Sequence, residues 1–165
     1  MGIFSDLRAA RRENRELGQG VWRRAHDRFE RGLDRFHQVL EGIESDELYN
    51  ALVEVANDLA DLREPVRAVC VRGQRLRPSE GTDIPAGADV AHRALSRAAN
   101  DVAQAAQAAA MARLELEGGA GVPAGADGSA LGAAVREEPA VINVRRRAEA
   151  VHEGVRQATA AARRL

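Results

Sequence analysis

Between residues 22 and 43 the chain reads WRRAHDRFERGLDRFHQVLEGI. In it Trp22, His26, Phe29, Leu33, Phe36, Leu40 and Ile43 recur at alternating intervals of four and three. That rhythm places them on one stripe of a helix, and such a stripe is stable only against other helices. Moving outward, the rhythm recurs in three further stripes. The next is Leu48, Leu52, Val55, Leu59, Leu62, Val66, Val69, Gly73 and Leu76. A third is Ala91, Leu95, Ala98, Val102, Ala105, Ala109, Ala112 and Leu116. The last is Val141, Val144, Ala148, Val151, Val155, Ala158, Ala162 and Leu165. Four stripes predict an all-α fold, an up-down-up-down antiparallel four-helix bundle. Upstream, Ile3, Leu7, Ala10, Asn14, Leu17 and Val21 make a shorter stripe, out of phase by one residue or about 100°. The slip falls near Gly18 and Gly20, so an N-terminal helical extension is expected ahead of the bundle.

The punctuation agrees. Ser45 before Asp46 and Glu47 suits an N-cap followed by acids in the first turn. The short gap between the first two stripes demands a hairpin. Pro65 lies inside the second stripe, whose phase continues across it, which reads as a kink. The expected layout is one domain, 1–165. It has an amphipathic arm (1–19), a first helix (20–44), a second kinked at Pro65 (45–76) and a loop (77–88). A third helix (89–117), a flexible Gly-rich linker (118–138) and a fourth helix (139–165) follow. Within the linker, Ser129 could cap a short turn holding Leu131 and Val135. Pro139 suits the first turn of the last helix, where its missing N–H costs nothing.

Composition narrows the chemistry. Of 165 residues, 33 are Ala and 24 are basic, all of them Arg, with a formal net charge of −1. With no Lys, the P-loop, Schiff-base and kinase-type lysines are excluded. High Ala and Arg also fit a GC-rich coding bias. Cys70 is the one cysteine, so an internal disulfide or Cys-rich zinc site is excluded and a reducing compartment is expected. No stretch approaches the roughly 20 apolar residues of a transmembrane helix. The opening MGIFSDLRAARREN lacks the apolar core of a secretory signal.

Acid-x-x-His occurs three times, at Asp34/His37, Asp89/His92 and Glu149/His152. Di-iron bundles use a related pattern, but the phase here turns Asp89 and Glu149 toward solvent. A second acidic stripe, Glu30, Asp34, His37 and Glu41, has Glu54 and Asp58 across the hairpin and reads as a solvated flank. His26 occupies a core stripe and reads as a buried, bonded histidine, and Cys70 reads as packing. There is no Gly-x-Ser-x-Gly elbow, and Gly119-x-Gly121 follows a helix rather than a strand. No catalytic residue, metal site or cofactor is expected.

Charge geography carries more. In an up-down-up-down bundle one pole would gather Arg8, Arg11, Arg12, Arg15, Arg72, Arg75, Arg77, Arg163 and Arg164. The other would gather Glu41, Glu44, Asp46, Glu47, Glu115, Glu117, Asp127, Glu137 and Glu138. The expected function is a non-enzymatic, cytoplasmic helical interaction or scaffold module, with its basic pole meeting a protein partner or, peripherally, an anionic membrane surface. Arg8, Arg11, Arg12, Arg15, Arg163 and Arg164 would act through charge, and Ile3, Phe4 and Leu7 through apolar contact. The opening MGIFSD resembles the start of phage-shock membrane-binding proteins. That likeness spans about six residues of a chain shorter than those coiled coils, and no family is assigned on it. Nucleic-acid association is a first alternative, weakened by few aromatic residues for stacking. A metal-binding carboxylate/His bundle enzyme is a second, and homo-oligomerisation through exchanged hairpins is compatible with the linker.

Overall fold

The structure, a computed structural model, describes the backbone of residues 2–118 and 128–165, and side chains from 10–118 and 130–165. Among the described residues the chain is all α, with no strand. Its helices are α1 (Gly2–Leu17), α2 (Val21–Glu41), α3 (Asp46–Ala60), α4 (Arg63–Leu76), α5 (Asp89–Gly118), α6 (Gly128–Glu137) and α7 (Pro139–Ala162). The stripes are buried almost without exception. Trp22, Phe29, Leu33, Phe36, Leu52, Val102 and Val151 are each at most 1% exposed, and they belong to one continuous apolar cluster. A large side chain buried this fully contributes about 1.5–3 kcal/mol relative to an exposed one. The small residues of α5 bring its backbone close to its neighbours, and the bulky stripe of α2 fills the space beside them. The stripe ends thin out: Leu76 is 36% exposed, and Ile43, Leu116 and Leu165 are half-buried.

Contacts fix the directions. Trp22 meets His92, Gly32 closes on Val102 and Gly42 on Arg113, so α2 and α5 run side by side in the same sense. Gly154 closes on Ala98 and Arg147 bonds Gln104, so α7 runs against α5. Arg72 Nε donates to the Ala162 carbonyl at 2.7 Å, so α4 and α7 finish together. Loop 77–88 therefore crosses one end of the molecule, over Trp22, rather than joining two nearest neighbours.

The break in the second stripe lies at Asp61–Leu62, with Pro65 in the first turn of α4. There its missing N–H would have had no intrahelical partner. The helix is interrupted just ahead of the proline rather than bent at it. In the stretch expected as linker, residues 119–127 lie outside the described residues, and α6 follows, packed on α3 and α7.

Two helix starts are capped from far along the chain. Gly20 offers α2 no side chain, and the Ser79 hydroxyl accepts from Val21 N at 3.3 Å instead. At α3, Ser45 Oγ accepts from Leu48 N at 3.2 Å, the cap its sequence predicts. The Glu117 carboxylate of α5 then takes the N–H groups of Glu44 and Ser45 at 2.6 and 3.0 Å, and Arg113 Nε at 3.1 Å. Burial opposes that charge, but the two backbone donors and Arg113 outweigh it and hold the carboxyl below its ordinary range.

Gly73 is dictated by close approach. A Cβ there would stand 2.6–2.7 Å from three carbons of the Trp22 indole. That indole is fully buried. Its Nε1 donates to the Arg77 carbonyl at 2.9 Å, and its ring meets His92 edge-on at 6.1 Å and 76°. Burial, then Arg28 and Arg24, lower the basicity of His92, which favours the neutral ring against the indole.

Candidate functional site at the arginine-rich end

The starts of α2 and α5 and the ends of α4 and α7 share one end of the molecule. There Arg72 ties the last turn of α4 to that of α7, while Arg75, Arg163 and Arg164 are exposed. No ion pair holds Arg72, Arg75, Arg163 or Arg164 among the described residues, whereas about half of the other helical arginines have a carboxylate. Arg23 bonds Asp27 at 2.9 Å, Arg63 meets Glu30 at 3.0 Å, and Arg113 bonds Glu117. The acids of this end are engaged elsewhere or stand in the crossing loop: Glu80 accepts from Gln74, and Asp89 pairs with Arg93 at 3.3 Å. The opposite end holds Glu41, Glu44, Asp46, Glu47, Glu115, Glu117, Glu137 and Glu138; Asp127 lies outside the described residues.

The arm takes a different course from the one its stripe suggests. Gly18, in the left-handed region at φ +65°, turns the chain so that α1 lies back along α4 and the first turns of α2. Leu17 is fully buried, Glu16 pairs with Arg67, and Glu13 reaches Arg23 at 3.4 Å. Arg67 points about 200° round α4 from Pro65 and Val69, which face α7. The arm arginines Arg11, Arg12 and Arg15 are therefore exposed on the other flank of α4 from Arg163 and Arg164, and Arg12 is bonded to Glu16 at 2.9 Å. The single cluster expected from the sequence is thus divided. The side chains of Ile3, Phe4, Leu7 and Arg8 lie outside the described residues.

Beside the terminal arginines runs a groove between α4 and α7. Two adjoining sections of ≈ 360 and ≈ 350 Å³ share Pro65, Thr159 and Arg163. Leu62, Val69, Val155 and Ala162 form the floor, and Arg72, Arg156 and Arg163 stand at the rim. Sequence reading had named Arg163 but passed over Pro65, Arg156 and Thr159. The clue would have been that the ends of α4 and α7 both carry arginine beside small residues.

The histidine and carboxylate candidates regroup away from the pairings expected. Asp34 is drawn toward Arg63 at 3.7 Å, and His37 Nδ1 bonds the Leu33 carbonyl at 2.9 Å. Glu54, Asp58, Glu149 and His152 line one depression between α3 and α7, where Arg145 reaches Glu54 at 3.9 Å and Arg136 bonds it at 3.2 Å. Among the described residues, Glu13, His26 and Asp27 alone bring ligand atoms within 4.8 Å of one another. His26 is buried, with Nδ1 3.3 Å from Asp27. Both carboxylates already face the Arg23 guanidinium, bonded to Asp27 at 2.9 and 3.1 Å, so a fixed cation already serves the cluster. Cys70 is fully buried, and burial, then the Asp27 charge, push its thiol up to about 12, which keeps it protonated and unreactive.

No family model, no curated protein and no solved structure matches this chain.

Proposed function

We propose that this protein is a non-enzymatic cytoplasmic interaction module, an up-down-up-down four-helix bundle whose arginine-rich end binds an acidic protein partner. One observation carries the reading: α4 and α7 finish side by side, which collects arginines without carboxylate partners at one end of a chain whose net charge is −1. Such a field steers and holds an anionic surface, with a strength that falls as salt rises. The helix directions deduced above support the topology. Among the described residues, no helix is long and apolar enough to cross a membrane.

The test is binding to immobilised poly-glutamate across a salt series, comparing the full chain with R75E/R163E/R164E. Salt-sensitive binding that the triple substitution abolishes is expected. Equal binding by both proteins overturns the reading. Co-sedimentation with anionic vesicles, or RNA binding, in the absence of poly-glutamate binding would replace the acidic protein with a lipid or a nucleic acid.

A further inference from the structure

Building on that reading, we infer that the groove between α4 and α7 seats an acidic amphipathic helix supplied by a partner protein. Helix α4 presents two flanks. One is already covered by a helix of this chain: α1 lies along it, burying Leu17 and setting Glu16 on Arg67. The covered flank thus shows the chemistry α4 accepts, an apolar side chain between helices with a carboxylate on an α4 arginine. The other flank packs against α7 and leaves, between the two helices, an open groove that carries the same two kinds of group. Above the buried Leu62, Val69 and Val155, its accessible floor is Pro65, Ala68 and Ala160, and its rim carries Arg72 and Arg163. Along the rim, Arg156 is engaged by Glu153 at 2.5 Å, so the charge left for a ligand is concentrated where the two helices end.

Dimensions set the occupant. From Leu62 to Arg72 the groove follows α4 for about 15 Å, the length of a three-turn helix. Apolar residues at intervals of three and four would face the floor, and Asp or Glu beside them would meet Arg72 and Arg163. A flat anionic surface would reach the rim but leave the floor open to water. Charge alone accounts for the rim, and only an apolar stripe accounts for the floor.

The experiment uses the full chain and three labelled synthetic peptides of about four turns. One has a Leu stripe flanked by Glu. The second has the same composition scrambled so that no face is apolar. The third replaces Glu by Gln in the striped order. Fluorescence anisotropy gives the affinities. Two proteins are compared with the parent: A160W, which places an indole over the groove from an exposed position, and R163E/R164E. Unchanged circular dichroism and melting temperature establish that both fold. The striped acidic peptide is expected to bind on the order of tenfold tighter than either control, and A160W to remove that advantage. If both acidic peptides bind equally, ignore A160W and weaken with R163E/R164E, the groove assignment fails and the basic-end reading stands. Absence of binding by every peptide overturns both. Binding to phosphatidylglycerol vesicles that exceeds peptide binding and ignores A160W overturns the inference in favour of a lipid.

Discussion

Replacing Gly73 by Ala tests the packing on which the arginine-rich end depends. Alanine normally stabilises a helix interior by about 1 kcal/mol over glycine. Here the added Cβ would lie 2.6–2.7 Å from the indole of Trp22. The ring must retreat by roughly an ångström to reach ordinary contact. It is fully buried, bonded through Nε1 to Arg77 and braced by His92, so retreat would strain the crossing loop. Overpacking of this kind costs about 1–3 kcal/mol, and the rigid surroundings place it at the upper end. Subtracting the propensity gain leaves about 2 kcal/mol of destabilisation, or roughly 4–8 °C in Tm for a chain this size. Urea unfolding followed by far-ultraviolet circular dichroism measures it. In a W22A background the obstruction is gone, and G73A should turn stabilising by up to about 1 kcal/mol. A stabilising G73A in the parent protein, or the same effect in both backgrounds, refutes the argument.

Three further outcomes follow from the same contacts. E117Q should destabilise by about 1–2 kcal/mol at neutral pH, because it weakens the acceptor for the Glu44 and Ser45 N–H groups and Arg113. The folded carboxyl titrates below 4.5, so its stabilisation is present above the unfolded value and is lost as pH falls through the folded one. Urea titrations of both proteins should therefore converge on acidification. His92 has the same sign by a different route: its folded value lies below 6.5, so the unfolded chain takes up a proton first and stability declines as pH drops below 6.5. H92L should flatten that decline in pH-dependent melting. Cys70 should resist a thiol reagent in the folded protein and react fully in denaturant, since burial keeps its thiol protonated at ordinary pH. Rapid labelling without denaturant would mean that the α2–α4 contact opens.

Much of the fold was legible in the sequence because helix amphipathicity is a local, repeated signal. A heptad stripe is written in every turn, and all residues from Trp22 to Leu40 on the first stripe are buried as their spacing requires. Ser45 announced its cap for the same reason, acting on a residue three positions away. The candidate site was read less completely. The arginines at the end of α7 were visible, but the floor between α4 and α7 was not, because it is formed by residues about 90 positions apart.

Periodicity thus determined that the chain is helical and which face of each helix is buried. It could not specify which helices become neighbours, since one apolar stripe packs acceptably against any other. Only the tertiary structure set α5 beside α2 in the same direction and turned α1 back along α4. It also recruited Ser79 and Glu117 to helix starts 58 and 72 residues away. These choices rest on steric fit at glycine and on backbone hydrogen bonds that need a partner from elsewhere. Neither leaves a periodic trace along the chain.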